Sequence, residues 1–128
     1  MAVTMIERLI DSVIIIDHLN GIKKATRYLL DLDPTKAAIS VITRAEVLAG
    51  LEEENKDNVK ALLDMYLALI IDVSISDLAA DLRKKYRWKP PDAFQAALAL
   101  HHKIKFSTRN TKDFDPKVHE FVEVPYKI

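Results

Sequence analysis

A chain of 128 residues with zero formal net charge has room for one ordinary domain with one core, and 49% apolar against 30% charged residues excludes a disordered segment. Only two glycines, Gly21 and Gly50, leave no glycine-built phosphate loop or dinucleotide fingerprint, and the lack of cysteine removes disulfides, thiolate metal sites and a thiol nucleophile. No apolar run approaches the roughly 20 residues of a membrane span, and no basic leader precedes one, so the expectation is a cytoplasmic protein.

Arg8 to Asp11 reads as a short buried strand, followed by a helix from Val13 to Leu19 that stops at Asn20-Gly21. Ile22 to Leu32 is helical up to the breaker Asp33-Pro34, and Ala37 to Val41, small and β-branched, is a second strand. Thr43 then opens a helix that carries Glu46. Val59, Leu62, Leu63, Tyr66, Leu67 and Ile70 recur at helical spacing, which predicts an amphipathic helix running into a third strand at Ile70 to Val73. A further helix begins near Ser76, shows Leu78, Ala79, Leu82 and Tyr86 as its apolar stripe, and ends at Lys89-Pro90-Pro91. Asp92 to His102 is almost wholly small or apolar, as a helix pressed against a sheet must be. Ile104 to Ser107 is a strand, Thr108 to Phe114 a polar turn region, and Phe121 to Val124 an edge strand before Pro125. Short strands alternating with helices predict one domain over residues 1–128, a three-layer α/β/α sandwich around a mostly parallel sheet of four to five strands. Ligands bind such sheets beyond the carboxyl ends of the strands, at the switch in strand order, and Asp11 and Thr108 to Asp113 both fall there.

Four acids, Asp11, Glu46, Asp92 and Asp113, each stand where a strand or loop hands over to a helix or turn. Two unit charges about 5 Å apart repel by roughly 3 kcal/mol at an effective dielectric near 20. A pocket holding all four therefore requires a divalent cation or a basic partner. Each acid also has a plainer reading: Thr43-x-x-Glu46 fits a capping box, Asp92 suits the positive end of a helix behind two prolines, and Asp113 suits a turn. Asp11 is harder to explain locally, because a carboxylate that ends a buried apolar strand needs a partner or a cation. One shared site replaces four separate causes. All-oxygen donors fit Mg²⁺ or Mn²⁺ rather than a soft metal.

Asp17, six residues beyond Asp11, points away from the strand end and reads as a supporting or solvated group. Ser12 either orients Asp11 or caps the first helix, while Thr108 and Asn110 either hold a phosphate or water or shape a turn. His101 and His102 diverge at a helix end and make poor joint ligands, and His18 and His119 carry no signal. Charge is unevenly spread: residues 82 to 112 hold nine Lys/Arg and one acid, whereas Glu46 to Asp81 holds nine acids against Lys56 and Lys60. That dipole suits a polyanionic partner. Arg83, Lys84, Lys85, Arg87 and Lys89 surround Tyr86 and Trp88 just before Asp92, a basic and stacking combination suited to RNA or else a cationic helix C-terminus. Arg109 and Lys112 are placed to steady a nucleic-acid backbone. Spare apolar residues at Leu48, Leu51, Met65 and Leu69 suggest a homodimer.

The motifs Leu9-Ile10-Asp11-Ser12, Thr43-Arg44-Ala45-Glu46, Pro91-Asp92-Ala93-Phe94-Gln95-Ala96-Ala97 and Thr108-Arg109-Asn110-Thr111-Lys112-Asp113-Phe114 stand in the order of the PIN-domain ribonucleases. More narrowly, the chain resembles the VapC toxins of VapBC toxin-antitoxin pairs, from Leu9 to about Pro125. The resemblance implies a Mg²⁺- or Mn²⁺-dependent endoribonuclease acting on structured RNA such as tRNA or rRNA. It further implies inhibition by a VapB-like antitoxin whose tail occupies the acidic pocket. Carried over onto this chain, Asp11 and Asp92 are direct metal ligands, Glu46 and Asp113 act directly or through water, and water is the nucleophile, leaving 5′-phosphate ends. Val13 departs from the family pattern, which has a polar residue there, and Asn110 shares with Asp113 the claim to be the fourth site residue. Two alternatives differ in class: a non-catalytic PIN-like binding module, and a phospho-receiver domain, whose adjacent acids after the first strand are missing here.

Overall fold

The computed structural model describes residues 5–128. In chain order, β1 (Arg8–Ile10) is followed by α1 (Ser12–Leu19) and α2 (Lys23–Asp31), β2 (Ala37–Ser40) by α3 (Val41–Ala49) and α4 (Lys56–Leu63), and β3 (Leu67–Leu69) by α5 (Val73–Tyr86) and α6 (Pro90–His102). Two further strands, β4 (Lys105–Ser107) and β5 (Val122–Glu123), complete a five-stranded sheet in the order β3-β2-β1-β4-β5, with every neighbouring pair parallel. The strand order reverses between β1 and β4, which places the crevice for a ligand beyond Ile10 and Ser107. Receiver domains run 2-1-3-4-5, so this order removes that alternative.

Side chains alternate across the sheet because successive Cβ atoms of a strand point to opposite faces. Leu9, Ala38, Phe106 and Val122 join Ile75, Ala79 and Leu82 of α5 and the small residues of α6 in one core. Ile10, Ala37 and Ile39 join Ile14 and Ile15 of α1, Leu29 of α2, Val47 of α3 and Leu63 of α4 in the other. The result is the α/β/α sandwich, with α1 to α4 on one face and α5 and α6 on the other. Alanines 93, 96, 97 and 99 are buried, and their small size lets α6 lie close to the sheet and carry its N-terminus up to the crevice.

Helix starts differ from the sequence expectation in ways that matter for the site. Ser40, rather than a residue near Thr43, is the N-cap of α3, and its Oγ accepts from the Thr43 amide at 3.0 Å. Thr43 is already helical, so the capping box does not form and Glu46 keeps its carboxylate free of that duty. Pro90 and Pro91 occupy the first two positions of α6 instead of preceding it, where their missing N–H groups cost nothing. Asp92 is thereby in the first turn.

The helix expected to run to Ile70 ends at Leu63, and the third strand is Leu67–Leu69 rather than Ile70 to Val73. A short apolar run such as Tyr66 to Ile70 fits either period, and here the backbone of β2 decides: Ala38, Ile39 and Ser40 pair with Leu67, Ala68 and Leu69. Backbone groups of a buried strand must find partners. Consequently α5 starts early, at Val73, with the Asp72 carboxylate capping the Ile75 amide at 2.9 Å. The remaining ends agree to within three residues.

The expected spare apolar surface also moves. Leu69 is buried and Leu48 and Leu51 pack against the second core, whereas Leu67 on the edge strand β3, Met65 and Ile70 beside it in the chain, and Val73 at the start of α5 are exposed. Among the described residues no helix is long and apolar enough to cross a membrane.

Candidate metal and nucleic-acid site

Asp11 caps the junction of β1 and α1. Its amide donates to the Ser107 carbonyl at 2.9 Å, which ties it to β4 across the strand-order switch. Its Oδ2 accepts from Thr108 Oγ1 at 2.7 Å and its Oδ1, more weakly, from Ser12 Oγ at 3.4 Å. Only 9% exposed, the carboxyl is raised above its ordinary pKa by burial, with the Thr108 bond opposing. Asp92 shares a cleft of about 430 Å³ with Asp11, alongside Ser12, Val13, Arg109, Asn110 and Lys112. Burial, followed by the charges of Asp11, Asp113 and Glu46, pushes Asp92 up to about 6, against the opposing pull of Lys89.

Glu46 and Asp113 stand at the margin and do not line that cleft. Both still act on Asp92, and Glu46 is itself raised by burial and then by Asp11. Asp113 is exposed and accepts from Asn110 Nδ2 at 3.0 Å. Asp92 thus feels the other three acids, but only Asp11 faces the same space with it. Of the polar helpers, Thr108 is fully buried and bonds Asp11 and the Asn110 amide, so it serves the carboxylate rather than a substrate phosphate. Val13, the apolar departure from the expected pattern, lines the cleft.

Among the described residues no three His, Cys, Asp or Glu side chains form a ready metal cage. Mg²⁺ does not require one, since it commonly takes one or two carboxylates and keeps several waters. Two carboxylates raised by burial, Asp92 also by the charge of Asp11, are a donor set that a hard cation relieves, so Asp11 and Asp92 fit such an ion. A pH dependence follows. Because the folded pKa of Asp92 lies above the ordinary 3.8, this carboxyl in the metal-free protein holds more of its proton folded than unfolded between about 4 and 6, and its contribution to stability falls as pH rises through that window. Thermal melts without metal at pH 5 and pH 7 are expected to show this decrease in wild type and a smaller one in Asp92→Asn. A divalent cation would need the ionised form, so added Mg²⁺ is expected to raise the melting temperature at pH 7 and to do so less below about 6.

The basic groups divide. Lys84, Lys85, Arg87 and Lys89 are exposed, and Lys112 lines the cleft. Arg83 is exposed too, though its Nε donates to the Trp88 carbonyl at 3.1 Å. Trp88 is not a stacking platform: it is 5% exposed, stacked on Tyr86 at 4.6 Å and packed against Phe114 and His119, and its Nε1 donates to the Asp113 carbonyl at 2.9 Å. Arg109 is not free either. It lies along the cleft, but its Nε and Nη2 donate to Asp17 Oδ2 and Oδ1 at 2.5 and 2.9 Å.

Of the two sequence readings of Asp17, supporting or solvated, burial and its bonds to Arg109 and Tyr126 leave the first, as a carboxylate behind the apolar run Ile14-Ile15-Ile16 needs a partner. Gln95, one turn beyond Asp92, donates from Nε2 to Thr43 Oγ1 at 2.8 Å, and Thr43 lies one turn before Glu46. This bond ties together the two helices that carry Asp92 and Glu46. The signal for Gln95 in the sequence is its place in the otherwise small and apolar run from Ala93 to Leu100, where a polar side chain needs a partner.

The fold and cleft define an α/β protein with an acidic site at the carboxyl edge of a parallel sheet. The chain belongs to the PIN-domain family, whose model matches residues 8–116. It is similar to a chain of a toxin-antitoxin complex from Klebsiella pneumoniae, at 33% identity over 95% of this chain and 100% of that one, with a TM-score of 0.87. The fold is also that of chains in FitAcB from Neisseria gonorrhoeae (23% identity, 94% and 99% covered, TM-score 0.77) and in DNA-bound VapBC from Salmonella typhimurium (20%, 87% and 92%, TM-score 0.74). Comparison with curated protein sequences gives no match.

Proposed function

We propose that this chain is a Mg²⁺- or Mn²⁺-dependent endoribonuclease of the VapC kind, the toxin of a type II toxin-antitoxin pair, acting in the cytoplasm as one PIN-like domain. The observation that carries the reading is the pairing of Asp11 and Asp92 in one cleft at the strand-order switch, both held above their ordinary pKa. Family membership and the likeness to toxin-antitoxin chains support it. A divalent cation supplies, when bound, neutralisation of the scissile phosphate and a water of lowered pKa. Asp11 and Asp92 would hold it. Thr108 and Ser12 keep the Asp11 carboxylate oriented, Glu46 and Asp113 add negative charge at the rim, and Lys112 with the exposed cations Arg83, Lys84, Lys85, Arg87 and Lys89 attract the polyanion. The substrate is RNA of the tRNA or rRNA class, and the tail of a VapB-like antitoxin fills the cleft in the inhibited pair. Met65, Leu67, Ile70 and Val73, exposed on β3 and beside it in the chain, support a homodimer.

The test is to incubate purified protein with total RNA, with Mg²⁺ or with EDTA, and to sequence the new ends. Discrete cuts bearing 5′-phosphates, absent with EDTA, are expected. No metal-dependent cut would leave the non-catalytic PIN-like module as the better account.

A further inference from the structure

Asp11 and Asp17 belong to one rigid unit, the first as the residue that opens α1 and the second as a residue within it. Facing them, Thr108 and Arg109 are consecutive residues of the segment that follows β4. Thr108 donates to Asp11 at 2.7 Å, and Arg109 donates through two nitrogens to Asp17. The same two elements are therefore latched at adjacent points, one inside the acidic cleft and one beside it. Tyr126, in the C-terminal tail, adds its hydroxyl to Asp17 Oδ2 at 2.8 Å.

The geometry points to Asp17, Arg109 and Tyr126 as a positioning clamp that holds Thr108 and Asn110 in register with Asp11 and Asp113, an inference that rests on the nuclease reading of the cleft. Fixing the Arg109 side chain fixes the backbone between its neighbours. On one side Thr108 reaches Asp11, and on the other Asn110 reaches Asp113 at 3.0 Å. Trp88 secures the far end of the segment through the Asp113 carbonyl. A bidentate guanidinium–carboxylate pair sets angle as well as distance. Stability alone is a poor reason for it, because a well-packed apolar pair often serves a buried position as well as or better than an ion pair. With Asp17 taking two of its donors, Arg109 acts through the loop and not as a phosphate ligand.

The experiment compares wild type with Asp17→Asn, Arg109→Gln, their double variant, and Tyr126→Phe as the milder change should the others fold poorly. Val59→Ala, on the buried face of α4 and outside the lining of the cleft, controls for lost stability. The clamp predicts a kcat about 10- to 100-fold lower in Asp17→Asn and in Arg109→Gln at saturating Mg²⁺ and RNA, as for groups that orient ligands at a metal site. The double variant should be no worse than either single, because both break one interaction. Tyr126→Phe should show a smaller loss, and Val59→Ala none at 25 °C. A rise in KM for Arg109→Gln with kcat intact in Asp17→Asn would instead make Arg109 a phosphate contact and overturn the proposal. Amide hydrogen exchange at Asn110, whose N–H donates to Thr108 Oγ1, is read in parallel. It should quicken by about 10-fold or more in Asp17→Asn and measurably in Tyr126→Phe. Unchanged exchange would sink the clamp even if the wild type cut no RNA, whereas quickened exchange in a protein that cuts no RNA would count against the nuclease reading alone.

Discussion

Asp11→Asn is expected to abolish divalent-dependent RNA cleavage, lowering kcat by about 10³-fold or more, which corresponds to about 4 kcal/mol of lost transition-state stabilisation. The substitution removes one of the two carboxylates that line the cleft and leaves the amide oxygen to accept from Thr108 in the carboxylate's place. Folding should therefore survive. The carboxyl is destabilised in its ionised form by burial, so the metal-free variant is expected to melt at or above the wild-type temperature at pH 7. That combination separates a functional carboxylate from a structural one. An inactive variant with a lowered melting temperature would mean that Asp11 holds the β1–α1 junction together, and a variant that still cuts RNA would place the active site elsewhere. RNA end-labelling assays and thermal melts on the same preparation decide between these.

The second large effect concerns stability. Trp88→Ala is expected to cost about 3–5 kcal/mol, a large share of the roughly 5–15 kcal/mol available to a domain. Trp88 is the only tryptophan in the chain, and its ring is wedged among Tyr86, Phe114 and His119 at 4.6, 4.8 and 5.1 Å. Trp88→Phe keeps an aromatic wedge and loses the Nε1 bond to the Asp113 carbonyl, which should cost about 1 kcal/mol for the bond in addition to the smaller ring. Urea unfolding followed by circular dichroism measures both variants. A loss in Trp88→Ala below about 1.5 kcal/mol, the range of mild surface changes and small truncations, would contradict the buried placement and reopen the ring as an RNA-stacking group.

Local pattern made the framework legible. The run Leu9-Ile10 ending in Asp11, the small residues of α6 behind two prolines, and the polar segment after Phe106-Ser107 each have a period or a breaker that acts within a few residues. Their alternation implied the parallel sheet and its crevice. Asp11 and Asp92 were visible for the same reason, since each sits at an element boundary that the chain itself marks. Tyr66 to Ile70 was misread because a five-residue apolar run satisfies both helix and strand periods, and only the partner strand β2 breaks the tie.

By itself, then, the sequence determined the alternating α/β order, the sheet with two covered faces, and a set of four acids that contains the two lining the cleft. These depend on hydrophobic spacing and on proline and glycine stops, which act at short range. The tertiary structure decided which polar group meets which. Asp17 pairs with a residue 92 positions away, Tyr126 reaches it across 109, and Gln95 joins Thr43 across 52. It also buried Trp88, engaged Arg109, and left Glu46 and Asp113 at the rim rather than in the cleft. Hydrogen bonds and ion pairs are short-ranged in space and indifferent to separation along the chain, so their partners are settled only when the layers come together.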